Sequence, residues 1–307
     1  MQVTAAMVKE LRELTGAGMM DCNKALKEAN GDIKRATEVL REKGLAAAAK
    51  KAGRVAAEGL VMAAVAPDKK SGALVEVNSE TDFVAKNEDF VEFVKNMAKQ
   101  ALASSAQEVD ALLEEKWIAD SSQTAKDVLT NKIATIGENI GVRRFVRYNA
   151  ADGNAIVEYI HGGGRVGTML EIAGTSDAVL EAGRNVCMQI AAMSPQFVSR
   201  ETVPAEHIES EKAFLLKQAL QENAEAAKPK PENIITNMVE GRLSKSLKEI
   251  CLLDQEYVKD GELTVGAYLK TIGADVKIVR FTRYEKGEGI EKKEADFAAE
   301  VAEAMKS

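Results

Sequence analysis

The chain has 307 residues, 29% of them charged and 46% hydrophobic, with a formal net charge of -7 and only five prolines and one tryptophan. That composition fits a globular protein with a real core and excludes collagen-like, mucin-like and proline-rich linker classes. An abundance of alanine with so little proline points to a helix-heavy molecule, because alanine loses no side-chain entropy in a helix.

The first residues form a three-helix pattern. From Thr4, Met7, Val8, Leu11 and Leu14 recur at helical spacing, and the Thr4 hydroxyl can cap the free amides of the first turn. Thr15-Gly16-Ala17-Gly18 interrupts that helix, Met19 to Ala29 gives a second, and Asn30-Gly31-Asp32 makes a turn with Asp32 placed to cap a third. Ile33, Ala36, Val39 and Leu40 supply the third helix's inner face, and KGLAAAAKKAGR then reads as a helical or partly mobile linker. So small a bundle should dock on its neighbour or carry a binding face. Residues 1–55 hold 11 basic and 7 acidic groups, a net of +4, against 30 basic and 41 acidic in the rest, a net of -11. A basic face could meet RNA or an acidic protein, but it lacks the interleaved aromatics of a nucleic-acid binder, so no direct nucleic-acid partner is expected.

Strand character follows. Glu58 to Val65 and Gly72 to Val77 flank a turn at Pro67-Asp68-Lys69-Lys70. Asp89 to Ala103 places Phe90, Phe93, Val94, Met97 and Ala101 on one helical face, Asp110 to Trp117 reads as a short helix, and Thr124 to Ile140 as another. Arg144 to Asn149, Ala155 to Ile160 and Gly167 to Ile172 read as strands, and Ser176 to Met193 as a helix bearing Val179, Val186 and Ile190. GALVEV at 72–77 aligns with GTMLEI at 167–172, and Phe93 and Met97 then fall opposite Val186 and Ile190, which suggests two related strand-then-helix units. Coincidence between ordinary amphipathic patterns is the competing explanation.

Two polar helices, Ala205 to Ala227 and Glu232 to Ile250, are joined by Lys228-Pro229-Lys230-Pro231 and have thin apolar seams at Ile208, Leu215, Ala219 and at Ile235, Val239, Leu243, Leu247. This suits a projecting antiparallel hairpin. Val276 to Thr282 resumes strand character, and Glu294 to Met305 ends the chain as an amphipathic helix.

Standard reaction centres are missing. His161 and His207 lie far apart, without HExxH or a three-ligand zinc pattern. His161-Gly162-Gly163-Gly164-Arg165-Val166-Gly167 contains GxGxxG spacing, but a strand follows where a dinucleotide site needs a helix, so it reads as a glycine-rich hairpin. Neither GxxxxGK nor GxSxG occurs. Cys22, Cys187 and Cys251 are odd in number and far apart, which favours a reducing cytoplasm over a disulfide framework. No metal, cofactor or membrane span is expected. The most pointed polar segment is Asn78-Ser79-Glu80-Thr81-Asp82-Phe83-Val84-Ala85-Lys86-Asn87. Glu80 and Asp82 lack the apolar setting of paired catalytic carboxylates. Phe83 can either lid the local core or project as an aromatic anchor for a partner, with the core reading slightly favoured by residue physics alone.

LRELTGAGMMDCNKAL at 11–26, GD at 31–32, LREKG at 40–44, VNSETDFVAKNEDF at 77–90, HGGGRVG, VCMQIAAMSPQFV at 186–198 and LLDQEYVKD at 252–260 together resemble the elongation factor Ts family over essentially the whole chain. The resemblance implies an α+β fold with a ubiquitin-associated-like three-helix module and linker at 1–53. A duplicated core with antiparallel sheets would follow, at 54–140 and at 141–204 completed by 251–284, with a protruding helical hairpin at 205–250 and a C-terminal module at 285–307. It implies a cytoplasmic guanine-nucleotide exchange factor for elongation factor Tu that binds no nucleotide itself and does no covalent chemistry. Thr81, Asp82, Phe83 and Val84 would form the magnesium-displacing exchange loop. Leu14, Thr15, Gly16, Ala17, Met19 and Met20 in the N-terminal module, and His161, Gly162 and Met169 in the core, would be further partner contacts. Family members assemble with the partner either one-to-one or two-plus-two, so self-association is compatible with the resemblance. The competing class is a chaperone or adaptor whose N-terminal bundle captures a protein without promoting exchange.

Overall fold

The computed structural model describes residues 3–226 and 228–291, which fold as α+β with antiparallel sheets. The helix expected at Glu294 to Met305 lies outside the described residues. Helices α1 (Ala5–Thr15), α2 (Met19–Glu28) and α3 (Ile33–Lys51) enclose a small core of Val8, Leu11, Cys22, Ala25, Leu26, Ala36 and Val39. Thr4 and Asp32 cap α1 and α3 through their side-chain oxygens, and Gly16 closes α1 in the left-handed region at φ 67°. The alanine and lysine stretch is helical, because α3 continues through it onto the first core. There Gly44 is buried against Thr130 and Ala134, Arg41 pairs with Asp127 at 2.7 Å, and Lys51 Nζ donates to the Ile133 carbonyl.

Strands β1 (Glu58–Val65) and β2 (Ser71–Ser79) form a hairpin, followed by the one-turn helix α4 (Asp82–Ala85), α5 (Glu88–Ala103) and α6 (Val109–Glu114). A small ribbon of β3 (Lys116–Trp117) and β4 (Asp120–Thr124) precedes α7 (Ala125–Ile136) and β5 (Ile140–Asn149). Three sequence expectations change here. Trp117 lies in a strand, because its ring stacks on Phe93 at 5.6 Å while Gln100 grips the neighbouring backbone. Its amide donates to the Lys116 carbonyl and its oxygen accepts Ile118 N–H. Ile140 begins β5, after Gly137 ends α7 at φ 87°. Strand β5 pairs with β2 in the order β1-β2-β5, so the strand expected to open a second unit at 141 belongs to the first sheet.

The second sheet has the order β6-β7-β10, from β6 (Asn154–His161), β7 (Val166–Ala173) and β10 (Ile278–Glu285). Between β7 and β10 come α8 (Asp177–Met193), α9 (Ala205–Ala224), α10 (Glu232–Ile250), the ribbon of β8 (Glu256–Tyr257) with β9 (Asp260–Thr264), and α11 (Val265–Ile272). Gln189 on α8 grips β8 as Gln100 grips β3, donating to the Glu256 carbonyl and accepting Val258 N–H. Helices α9 and α10 run antiparallel. Glu222 meets Arg242, Glu211 meets Ser246 nearer the body, and a thin apolar seam runs between them: Leu215, Ala219, Ile235 and Val239 with Leu243 beside them, then Ile208 and Leu247 in the cluster at the base.

The sheets lie face to face with helices outside, giving four layers. Side-chain alternation along a strand explains this. In β2, Ala73, Val75 and Val77 face α5, whereas Leu74 joins Val61, Tyr148, Ile156 and Met169 between the sheets. In β7, Leu170 and Ile172 face α8. Both central strands are covered on both sides, which is why their sequences run apolar. Close approach needs glycine at two equivalent points. A Cβ on Gly72 would stand 2.6 Å from Ile156 and 2.9 Å from Met169, and one on Gly167 would overlap Val61 and stand 2.9 Å from Leu74.

Charge crosses the same layer reciprocally. Arg144 of β5 binds the buried carboxylate of Glu76 at 2.6 Å and lies 4.1 Å over the Tyr284 ring of β10. Arg280 of β10 binds the buried Glu171 at 2.9 Å and lies 4.1 Å over the Tyr148 ring of β5. A register shift beside each arginine, between Glu76 and Val77 in one sheet and between Ile278 and Arg280 in the other, re-aims the side chains there. It also lets Arg143 reach Glu76 at 3.0 Å.

Candidate functional site

After Ser79 the chain leaves β2 and makes the single turn of α4. Thr81 caps that turn by accepting Val84 N–H at 3.4 Å, and Asn87 caps α5 by accepting Asp89 N–H at 2.9 Å. Two caps six residues apart leave α4 no room to extend. Its two inward residues, Val84 and Ala85, are buried in the first core, so the helical turn sends Asp82 and Phe83 outward. The Phe83 ring is 79% exposed. The slightly favoured core reading of Phe83 is therefore wrong: Val84 and Ala85 fill the place beneath the turn. Val84, grouped with the contact residues in the sequence, supports the turn from below.

Asp82 is also exposed. Lys86, one helical turn on, bonds its carboxylate at 2.6 Å and holds its pKa below the usual aspartate value. The same ammonium stands 5.9 Å from the centre of the Phe83 ring. Thr81 is half-buried, and both its backbone N–H and its hydroxyl donate to Glu138. Neither Lys86 nor Glu138 was singled out from the sequence. Lys86 had the visible signal of an i, i+4 pair with Asp82, whereas Glu138 lies 57 residues from Thr81 and had none.

The N-terminal module brings a second exposed apolar group close to this one. Leu14, Met19 and Met20 are exposed at 62%, 58% and 74% around the α1–α2 turn, and the Thr15 hydroxyl donates to the Leu11 carbonyl and accepts Ala17 N–H. A cleft of about 890 Å³ is lined by Leu14, Thr15 and Gly16 on one side and by Phe83, Val84 and Trp117 among others on the opposite side. A neighbouring cleft of about 920 Å³ continues from Leu14 past Arg12, Ala17 and Lys24 toward α7. The structure thus joins Leu14, Thr15, Gly16 and Ala17 to the Phe83 turn along one groove, while Met19 and Met20 stand outside its lining. Among the described residues, no group of three or more histidine, cysteine or carboxylate side chains is placed to hold a metal ion.

The three core residues do not join that groove. His161 and Gly162 are exposed at the β6–β7 turn, where Gly162, Gly163 and Gly164 all take positive φ and the Gly164 carbonyl accepts Val61 N–H from the first sheet. Met169 is fully buried between the sheets, in the space that Gly72 leaves open, and so presents no surface for a partner. This corrects its place among the expected contacts. Strand alternation puts it on the inter-sheet face of β7, and the first sheet covers that face.

A sequence profile of the family described as Elongation factor TS matches residues 80–288. Elongation factor Ts of Clostridium botulinum strain Eklund 17B is 53% identical over 309 residues, which cover 99% of each chain. The proteins of the same name from strain Alaska E43, with 99% of each chain covered, and strain ATCC 19397, with 99% of this chain and 98% of the relative covered, are each 52% identical over 309 residues.

Proposed function

The chain belongs to the elongation factor Ts family, and from that membership we propose that it binds GDP-loaded elongation factor Tu, speeds the release of GDP and lets GTP replace it. The observation that supports this reading best is Phe83: a large apolar ring held 79% in solvent on a turn capped at both ends. An aromatic side chain fixed in that way is pre-organised to fill a partner's pocket without further ordering. In this reading Asp82 and Phe83 enter near the magnesium and phosphate-binding loop of the GTPase and disturb the coordination of the ion. Weakening a divalent cation's hold on a diphosphate removes several kcal/mol of attraction in a partly desolvated site, so GDP leaves faster. Leu14, Met19 and Met20 contact the nucleotide-binding domain, while His161, Gly162 and the α9–α10 pair grip the rest of the partner.

The chain then works by linkage and makes no covalent bond. A factor that prefers the nucleotide-free GTPase over the GDP-loaded one is weakened by GDP by the same ratio, so the incoming nucleotide drives the complex apart. The same reading makes residues 1–53 a ubiquitin-associated-like module, the two sheets with their helices a duplication, α9 and α10 a projecting excursion from its second copy, and the cytoplasm the place of action. The reciprocal arginine-on-tyrosine pairs and the matching Gln100 and Gln189 grips support duplication. Release of fluorescent GDP from elongation factor Tu, with and without this chain, tests the function. Acceleration supports it, and tight binding without acceleration would replace it with the adaptor reading.

A further inference from the structure

The bend that leads into α4 is fastened from elsewhere in the fold. Glu138 lies between α7 and β5, and its carboxylate makes three bonds to the bend: Oε2 accepts Glu80 N–H at 3.1 Å and Thr81 N–H at 3.0 Å, and Oε1 accepts the Thr81 hydroxyl at 2.6 Å. The contact is returned. Glu80 Oε1 accepts Asn139 N–H at 2.5 Å and receives Arg54 at 3.5 Å, while the Asn139 side chain donates to the Arg54 carbonyl at 2.7 Å. Each carboxylate thus accepts a backbone N–H from the segment that carries the other, and hydrogen bonds to ionised acceptors are the stronger kind.

A helix of four residues has no stability of its own, since nucleation outweighs the single turn's bonds. Its direction must come from what holds its ends. Val84 and Ala85 fix its underside, but they do not fix the rotation of residues 80–82 about the end of β2. Glu138 does, because one carboxylate spans two consecutive backbone amides and the hydroxyl that caps the turn. Bound in this way, the turn presents Phe83 in one orientation.

We propose that Glu138 is a positioning residue for nucleotide exchange, acting through the bend at Glu80 and Thr81 to hold Asp82 and Phe83 in the presenting orientation; this rests on the reading of those two residues as the exchange element. Stimulated GDP release from elongation factor Tu is measured against factor concentration for the unsubstituted chain, Glu138→Ala, Glu138→Gln, Phe83→Ala and the double variant Phe83→Ala/Glu138→Ala. Glu138→Ala is expected to lower the saturating rate about tenfold, the scale of one charge-assisted hydrogen bond, with a much smaller change in the half-saturating concentration. Glu138→Gln keeps an acceptor for the two amides and a partner for the hydroxyl, and is expected to stay within about twofold of the unsubstituted chain. In the Phe83→Ala background, removal of Glu138 is expected to add less than about twofold, because its effect runs through that ring. Amide hydrogen exchange at Glu80 and Thr81 should quicken in Glu138→Ala whatever the activity.

Full activity in Glu138→Ala with quickened exchange at the bend overturns the proposal, as does an equal loss in both backgrounds, which would mark a purely structural role. Unchanged release by Phe83→Ala overturns the exchange-element reading itself and the positioning role with it, a result distinct from either of those. Should Glu138→Ala fail to fold, Thr81→Val keeps both amide bonds to Glu138 while removing the hydroxyl arm and, with it, the cap on Val84 N–H, and is expected to show a smaller loss that also vanishes in the Phe83→Ala background.

Discussion

Replacing Phe83 by alanine separates a partner-facing ring from a core ring. The side chain is 79% exposed, and the residues that hold the turn down are its neighbours Val84 and Ala85, so truncation removes almost no buried area from this chain. The stability change should stay within about 0.5 kcal/mol, helped by the better helix propensity of alanine. Against elongation factor Tu the arithmetic differs. Full burial of a phenylalanine side chain in a partner is worth roughly 2–3 kcal/mol, which corresponds to roughly 30- to 150-fold in the second-order rate constant for stimulated release. Stopped-flow displacement of fluorescent GDP gives that constant, and thermal unfolding of the free variant gives the control. The reasoning is refuted by stimulated release within about twofold of the unsubstituted chain, or by a thermal midpoint lowered by several degrees, which would show that the ring supports the fold.

Three further outcomes follow from the packing. Gly44→Ala should raise stability by up to about 1 kcal/mol in denaturant unfolding, since its Cβ would meet Thr130 and Ala134 at 3.5 and 3.8 Å, ordinary contact distances, and alanine favours the helix. Gly72→Ala and Gly167→Ala, where the added Cβ would collide between the sheets, should each lower stability by about 1–3 kcal/mol in the same assay. The third concerns pH. Burial alone would raise the pKa of Glu76, but hydrogen bonds from Gly287 N–H, Asn78, Arg143 and Arg144 outweigh it and hold the pKa below the usual glutamate value. With a folded pKa below the unfolded one, this group's contribution is full above the unfolded value and is lost as pH falls through the folded one. Thermal midpoints of Glu76→Gln should therefore be lower than those of the unsubstituted chain near pH 7, and the difference should shrink as pH falls below about 4. A constant difference down to pH 3 would contradict this.

The sequence disclosed elements whose signals are local. Thr4 and Asp32 sit directly before periodic apolar residues, and both prove to be helix caps. The alignment of GALVEV with GTMLEI places two strands that turn out to be the central members of the two sheets. Signals that depend on distant residues were hidden. Trp117 extends an apolar run that suits a helix, and only Gln100 and Phe93, brought in from α5, make it a strand. Similarly, Ile140 continues the spacing of α7, but its backbone pairs with Ser79. Phe83 had two physically reasonable positions, and the choice between them rested on which neighbours filled the core first. One signal was present and unused: RRFVRYN at 143–149 resembles VRFTRYE at 279–285, and it carries the arginines and tyrosines that the two sheets exchange.

The arrangement mounts the α4 turn, the proposed exchange element, on three supports. The first core holds it from beneath, Glu138 fixes its entry, and α3 seats the Leu14 turn across the groove through Gly44, Arg41 and Lys51. Exchange by linkage follows if those two exposed groups engage the GTPase best when its nucleotide site is empty. The most direct measurement is calorimetric titration of this chain into elongation factor Tu in its nucleotide-free and GDP-loaded forms. The expected result is binding weaker by tenfold or more in the GDP-loaded form, matched by an equal loss of GDP affinity when the factor is bound. Equal affinity for the two forms would contradict the exchange mechanism.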